Sequence, residues 1–453
     1  MDSKESCTKV LMLPWLAHGH ITPFLELAKK LSTKNFHIYL CSTPIILTSI
    51  HNRITETQSL SIELVPLHLP PTSPELPPHR HTTNGLPPHL IPALKRAFDS
   101  ASPRFSEVVQ TLSPDLVIYD FLQPWAATIA SECKIPAVLY FIAGAALVSL
   151  GLHLHSRPGV ELPFPEYRHI LKGFPKAQAP EEEARTNDGT DDKTRLLESL
   201  EKSCKMILFN TFREFEGKYL DYLSILTKKT GVPVGPLVQE IDEKNNDSEI
   251  MQWLGTKDEL STVFVSFGSE SFPSKEERDE IAHGLEISGV NFIWIVRFPA
   301  PPGESTIEVE EALPVGFLER IGERGMIVEG WAPQAQILAH PSTGGFVSHC
   351  GWNSILESLK LGVPIVAVPV HHDQPINAKV VEAVGFGVEV KRDENKRLDR
   401  ENIAQVIKKV VVDEEGVDVR SKAREFSEII RKKGDEEING LVKELAQLST
   451  KGK

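Results

Sequence analysis

The sequence predicts an α/β protein carrying two doubly wound parallel sheets. Three observations carry that expectation. Short, continuous, β-branched apolar runs recur along the 453 residues. Helical patterns with one apolar face separate them. The runs also fall into two series, divided by a polar stretch from Val238 to Glu249 that reads as a linker. Strands that are apolar throughout, rather than alternating, suit a parallel sheet buried on both faces. The length suits two or three domains of roughly 100–200 residues each. The expected division is an N-terminal Rossmann-like domain over 1–240 and a C-terminal one over 250–435, with a last helix at about 436–453 packing back on the first.

The first series runs through Val10–Leu16, Ile38–Thr43, Ile62–Leu67, Asp115–Asp120, Ala137–Ile142 and Met206–Asn210. Between the first two lies a helical pattern with Phe24, Leu27, Ala28 and Leu31 on one face. Thr22 is its expected N-cap and Pro23 its first helical residue, since proline costs nothing where the N–H would be unpaired anyway. The second series runs through Thr262–Ser269, Asn291–Phe298, Met326–Ala332, Gly344–Cys350, Pro364–Val370 and Gly387–Val390, with helical stretches such as Lys275–Ser288 between. A charged helical pattern interrupted by Gly434 and Gly440 closes the chain. Three segments read as loops: Leu69–His89, Lys176–Asp192 and Pro299–Glu311. The first is rich in proline and histidine, and long ordered loops above a sheet often carry binding residues.

Composition excludes several classes. The net charge of −13 argues against a nucleic-acid binder, which needs clustered Lys and Arg. The five cysteines, at 7, 41, 133, 204 and 350, include no C-x-x-C pair and read as reduced thiols. The first residues have no apolar signal core, and no stretch reaches the ~18–20 apolar residues that span a bilayer. A cytoplasmic protein is expected, which leaves the Asn246-Asp247-Ser248 sequon idle.

In open α/β sheets, ligands sit beyond the carboxyl ends of the strands, so two such sheets facing one another would line a cleft. The first strand runs into Ala17-His18-Gly19-His20, and the fourth ends at Asp120. A strand-end carboxylate can fix the tautomer of a neighbouring histidine, which then accepts a proton from a hydroxyl near neutral pH. On placement alone His18 competes with His20, and Asp120 could simply cap the next helix. In the second series, GGFVSHC passes directly into GWNSILESLKLGVP. A strand–turn–helix junction presents free backbone N–H groups and a positive dipole end, which suits a diphosphate. His349 and Ser354 can add side-chain donors there. Ser354 and Glu357 have the spacing of a capping box, so cap and ligand contact are both open for Glu357. Neither a dinucleotide fingerprint nor a Walker loop occurs at this junction. Asp373 and Gln374, at another strand end, suit adjacent sugar hydroxyls, and Trp331 suits stacking on a base.

Trp331 to Gln374, WAPQAQILAHPSTGGFVSHCGWNSILESLKLGVPIVAVPVHHDQ, resembles the signature box of plant family 1 UDP-dependent glycosyltransferases nearly position for position. GHITP at Gly19–Pro23 and SFGSES at Ser266–Ser271 fit the same family, so the resemblance covers the chain. It implies the GT-B fold, with an acceptor-binding first domain and a UDP-sugar-binding second. It also implies that Trp331 stacks on uracil, with Ala332 and Gln334 near base and ribose and Glu357 on the ribose hydroxyls. His349, Asn353, Ser354 and Ser269 would hold the diphosphate, and Asp373 and Gln374 the sugar. Gly19, Gly351 and Trp352 complete the donor set. His20, rather than His18, matches the catalytic base, and Asp120 its partner. Gln374 looks like the residue of a glucose user. Two departures bear on the sugar: Val370-His371-His372 stands where the family often has tryptophan, and Phe141-Ile142-Ala143-Gly144 offers no hydroxyl. LMLPWLAHGHI, PPHRHTTNGLPPHL, LQPWA, SFGSES and HHDQPINAK resemble the branch-forming subgroup, which adds a sugar to a sugar already on a flavonoid, triterpenoid or diterpenoid. Trp15, His81, Asn84, Phe121, Ala143 and His372 are the acceptor-side candidates.

The expected reaction is inverting transfer of glucose from UDP-glucose, with His20 as base and Asp120 behind it. No metal or other cofactor is expected, since no D-x-D carboxylate pair stands at a plausible diphosphate site. The expected partners are a UDP-sugar and a small glycoside, and a monomer is the simpler oligomeric state. Three other readings stay open: a transferase acting directly on aglycones, a sugar-nucleotide isomerase of the same fold, and a non-catalytic UDP-sugar binder.

Overall fold

The computed structural model describes residues 7–71, 74–164, 191–241, 248–268, 272–297 and 308–450. They form two compact units. Of the described residues, those within Met1–Val160, Lys176–Val238 and Asp435–Lys453 make the first, and those within Glu161–Pro175 and Gln239–Gly434 the second.

The first unit is built on seven strands: β1 (Thr8–Leu13), β2 (Phe36–Ser42), β3 (Ile62–Pro66), β4 (Leu116–Tyr119), β5 (Ala137–Phe141), β6 (Met206–Phe209) and β7 (Thr230–Pro233). All pair in parallel, in the order β3-β2-β1-β4-β5-β6-β7. Every residue of β4, β5 and β6 is buried, as strands covered on both faces require. The helices used below are α1 (His18–Ser32), α2 (Ile91–Asp99), α3 (Pro124–Glu132), α4 (Ala145–Ser156), α5 (Asp192–Lys202) and α6 (Arg213–Thr227).

The second unit has six strands: β8 (Thr262–Ser266), β9 (Asn291–Val296), β10 (Gly325–Glu329), β11 (Thr343–Ser348), β12 (Ile365–Ala367) and β13 (Gly387–Glu389). Their order is β10-β9-β8-β11-β12-β13, again parallel throughout. Its main helices are α7 (Lys275–Ser288), α8 (Gln334–Ala339), α9 (Trp352–Leu361), α10 (Gln374–Val384), α11 (Arg400–Val411) and α12 (Val417–Lys433). The last helix, α13 (Glu436–Thr450), belongs to the first unit, where Ile438, Leu441, Leu445 and Leu448 are buried and it packs on α1 and β7.

Two local expectations are corrected, and one strand was not anticipated. Thr22 is not the cap of α1, and Pro23 is not its first residue. The helix starts at His18 with Ala17 at the N-cap, and Pro23 lies inside it. The Thr22 hydroxyl accepts from the Arg53 guanidinium at 3.1 Å instead, and the missing proline N–H costs one intrahelical bond. Ser354 and Glu357 form no capping box, because α9 begins two residues before Ser354 with Gly351 at its N-cap. The pattern is realised at α7, where Ser274 and Glu277 cap reciprocally. Finally, β7 is a strand that Thr-Gly-Val-Pro does not announce. At a sheet edge only one ladder is needed, so Pro233 is tolerated.

Among the described residues no helix is long and apolar enough to cross a membrane, and no cluster of three His, Cys, Asp or Glu side chains could hold a metal ion. All five cysteines are free, and burial pushes the Cys41 thiol up to about 12.

Candidate active site

In each sheet the strand order reverses at one place, and doubly wound sheets bind their ligands there. In the first sheet that place lies between β1 and β4. The β1–β4 register pairs Leu13 with Tyr119, so the segments that leave these strands start side by side. One enters α1, whose third residue is His20. The other begins with Asp120. The structure brings the two together: His20 Nδ1 lies 2.7 Å from Asp120 Oδ2. The same oxygen accepts the Trp15 backbone N–H at 3.2 Å, and the Asp120 N–H donates to the Leu13 carbonyl at 3.2 Å. Asp120 is wholly buried, whereas the His20 side chain keeps 18% of its surface. A carboxylate at Nδ1 holds the neutral ring as the Nδ1–H tautomer, which makes Nε2 the basic nitrogen. It is His20 and not His18 whose ring meets Asp120.

The acceptor-side candidates are placed unevenly around this pair. Phe121 sits with its ring 6.1 Å from that of His20 and is stacked on Phe141 at 5.0 Å. Trp15 is buried with its indole 5.7 Å from Phe98, and its backbone is what serves Asp120. The proline- and histidine-rich loop is tied to the strand ends: the Thr83 N–H and the Thr82 hydroxyl both donate to the Leu16 carbonyl, and the Thr43 hydroxyl donates to the His81 carbonyl. The His81 ring is buried and turned inward, donating from Nε2 to the Leu76 carbonyl at 3.1 Å. Burial holds its pKa below the ordinary histidine value. Asn84 is exposed on the same loop, and Ala143 is half-buried in the turn between β5 and α4.

Glu216 is a residue that sequence reasoning missed. It projects from α6 without solvent exposure and takes the first N–H groups of α4, Ala145 at 2.9 Å and Ala146 at 2.8 Å, one on each oxygen. Burial pushes its carboxyl up to about 7 despite those donors. A signal was available: Glu216 stands on the apolar stripe Phe212, Phe215, Tyr219, Leu220 and Leu223 of its helix.

In the second sheet the order reverses between β8 and β11. Beyond β11 the chain turns through His349, Cys350 and Gly351 into α9. Cys350 takes a left-handed φ of 65°, and the Ser348 hydroxyl accepts its N–H at 3.1 Å. The N-cap of α9 is Gly351, which brings no capping side chain of its own, and a helix N-terminus of this kind suits an anion. The buried His349 ring fills the floor of the turn. A Cβ at Gly351 would lie 2.5 Å from its Nε2, and one at Gly268 would lie 2.8 Å from it. Burial, and then His371 nearby, pushes the His349 pKa down to about 4, and a hydrogen bond with the Ser266 carbonyl only partly offsets this. The ring is therefore neutral at pH 7 and brings an N–H rather than a charge. Ser269 lies outside the described residues.

Helices α8 and α9 assemble a polar cluster beside this turn. The Gln334 amide Nε2 donates to Ser354 Oγ at 3.2 Å and to Glu357 Oε2 at 2.5 Å. Trp331 precedes it, 72% exposed, with Ala332 buried next to it. Trp352 is buried at the first position of α9, followed by Asn353. Asp373 and Gln374 stand at the start of α10. Gln374 Oε1 accepts the Val370 and His371 N–H groups, both at 3.0 Å, which occupies both of its lone pairs. His372 is exposed, with its ring edge-on to His371. Asn377 is a second residue missed from sequence: its Nδ2 donates to Asp373 Oδ2 at 2.6 Å and to the Cys350 carbonyl at 3.0 Å. The spacing of four from Asp373 on a helix was its signal.

A parallel sheet with an aspartate-held histidine at its switch point, and a second whose switch point opens through a glycine N-cap into a helix, define the class of nucleotide-sugar transferases of the GT-B fold. Comparison with known proteins identifies the family. Residues 6–239 match the model for the glycosyltransferase N-terminal domain, and residues 236–421 match that for UDP-glucoronosyl and UDP-glucosyl transferase. The chain is 54% identical to a mogroside IIIx synthase of Siraitia grosvenorii, over 99% of this chain and 95% of that one. It is 49% identical to the beta-D-glucosyl crocetin beta-1,6-glucosyltransferase of Gardenia jasminoides, over 97% and 98% of the two chains. It is 48% identical to the flavanone 7-O-glucoside 2''-O-beta-L-rhamnosyltransferase of Citrus maxima, over the full length of both. Its fold matches that of a Glycyrrhiza uralensis UDP-glycosyltransferase solved with glycyrrhetinic acid 3-O-monoglucuronide, with a TM-score of 0.84 and 25% identity over 98% and 96% of the two chains. The chain belongs to the plant family 1 UDP-dependent glycosyltransferases, and its donor is a UDP-sugar.

Proposed function

We propose that this enzyme transfers glucose from UDP-glucose, with inversion, to a sugar hydroxyl of a plant natural-product glycoside. The observation that carries the chemistry is the 2.7 Å pair of His20 and Asp120. His20 Nε2 takes the proton of an acceptor hydroxyl. The oxygen attacks the anomeric carbon of the α-linked donor from the opposite face. A new carbon–oxygen bond forms, the bond to the diphosphate breaks, and a β-glucoside and UDP result. Asp120 stabilises the imidazolium that forms and does not itself take the proton. Charge growing on the departing diphosphate meets the N-terminus of α9, the His349 N–H and the donors Asn353 and Ser354. Trp331, Ala332, Gln334 and Glu357 hold the nucleoside, and Asp373 and Gln374 hold the sugar. No step calls for a metal, and activity should survive EDTA. The acceptor class rests on relatives named for acting on glucosides. Glucose as donor rests on Gln374 and on the glucosyl-transferring relative, although the Citrus enzyme is named for rhamnose. The five free cysteines suit a reducing compartment, and a monomeric cytoplasmic enzyme completes the reading. Membership of a transferase family leaves the isomerase and non-catalytic readings without support.

The test is a mass-spectrometric acceptor screen with UDP-glucose that pairs flavonoid, triterpenoid and diterpenoid aglycones with their monoglucosides. One hexose gained on the glucosides alone supports branch formation. Gain on the bare aglycones would make this an ordinary aglycone glucosyltransferase. In the same assay His20→Ala should abolish transfer while UDP still binds, and His18→Ala should cost far less. Retained turnover in His20→Ala would remove it as the base.

A further inference from the structure

The segment that carries Asp120 is gripped from behind by one short helix, α5. The Tyr119 hydroxyl donates to the Ser199 carbonyl at 2.6 Å, the Ser199 hydroxyl donates to the Phe121 carbonyl at 2.8 Å, and Arg195 Nη1 donates to the Leu122 carbonyl at 3.0 Å. The residue before Asp120 and the two after it thus all end on α5. Arg195 and Ser199 are themselves buried. The Arg195 fork also takes both oxygens of Asp99 on α2, at 2.9 and 2.6 Å, and Asp99 Oδ1 receives the Trp125 indole N–H from α3 at 2.9 Å. One turn earlier on α2, the buried Lys95 reaches both oxygens of Asp192, each at 2.7 Å. The helix is fixed at its ends as well. The Asp191 side chain caps it through the Thr194 N–H, and Lys229 Nζ donates to the carbonyls of Leu200, Glu201 and Ser203. A guanidinium that reads a carboxylate bidentately and a carbonyl at once has little freedom to shift.

We propose that Arg195 and Ser199 are positioning residues for the acceptor. They fix the backbone of Phe121 and Leu122, and through it the plane of the Phe121 ring beside His20. Part of the acceptor selectivity then resides on α5, in side chains that never touch the acceptor. The inference rests on the reading of His20 and Asp120 as the base pair and of Phe121 as acceptor wall.

The experiment measures steady-state kinetics of the full chain with UDP-glucose and its two best acceptors, together with UDP binding and UDP-glucose hydrolysis in the absence of acceptor. Ser199→Ala keeps a good helix former and removes one grip. Arg195→Met removes the fork, and Arg195→Lys keeps the charge without it. Arg195→Met should lower acceptor kcat/KM about tenfold or more, as expected for small displacements next to a reacting group. Ser199→Ala should fall in the same direction by less, Arg195→Lys should recover part of the loss, and the ratio between the two acceptors should change. UDP affinity and hydrolysis should stay at the wild-type level. Lys202→Ala, in the exposed pair with Glu198 on the same helix, should behave as wild type. Wild-type acceptor kinetics in folded Ser199→Ala and Arg195→Met would overturn the proposal, as would equal losses in donor and acceptor terms. If Arg195→Met does not fold, Ser199→Ala decides alone. Turnover by His20→Ala would instead sink the underlying catalytic reading, whatever the α5 variants do.

Discussion

Gly351 occupies a position that excludes any side chain. The first atom of one would stand 2.5 Å from His349 Nε2, and the ring has nowhere to go because it is buried. Gly351→Ala should therefore displace the imidazole or the start of α9. Overpacking of this kind costs about 1–3 kcal/mol, which corresponds to roughly a 5- to 150-fold loss of UDP affinity if strain falls on the diphosphate turn. Titration calorimetry with UDP checks it, and an unchanged Kd would place the diphosphate elsewhere. The neighbouring His349 shows what a sequence alone withholds. Its position at a strand end was visible, but its neutrality comes from burial and from His371, neither of which leaves a mark in the local sequence. Asp120 was legible for the opposite reason, since a carboxylate directly after an apolar run has few other places to sit in a parallel sheet.

At the scale of elements, the continuous apolar runs reported twelve of the strands because a doubly covered sheet demands such runs, and β7 escaped because an edge does not. Helix starts were harder to read. Thr22-Pro23 has the chemistry of a start, yet α1 begins at His18, and the shift is what puts His20 in the first turn, within reach of Asp120. Ser354 and Glu357 have the chemistry of a cap, yet α9 starts at Trp352, which moves both residues into the helix and opposite Gln334. That displacement sets Glu357 against Gln334 instead of at the helix cap. If Glu357 takes the ribose hydroxyls, the wild-type enzyme should bind UDP more tightly than 2′-deoxy-UDP, and Glu357→Ala should bind the two alike. A preference that survives the substitution would assign Glu357 to bracing α8 alone.

Across the whole molecule, the two units carry buried titratable groups of opposite sense. Glu216, in the first, has its pKa raised to about 7, so between its ordinary 4.5 and 7 the native state keeps a proton that the unfolded chain releases. Stability from this group is full below that window and is lost as pH rises through it. His349, in the second, has its pKa lowered from 6.5 to about 4, so its stability is full above pH 6.5 and is lost as pH falls through the window. Each effect is on the order of 3 kcal/mol. Thermal melts should show the first unit weakening and the second strengthening as pH climbs from 4.5 to 6.5. On the proposed donor site, UDP should raise the transition of the second unit and so label it. Glu216→Gln should flatten the first transition against pH, and a slope that persists would assign it to another group. The placement of α13 adds a constraint of time. A chain emerges from the ribosome N-terminus first, so the surface of the first unit on which α13 packs, at α1 and β7 among others, waits uncovered while the whole second unit is made. The first unit to be synthesised is thus the last to be finished, and during that delay it offers its open seam to any chaperone or neighbouring nascent chain.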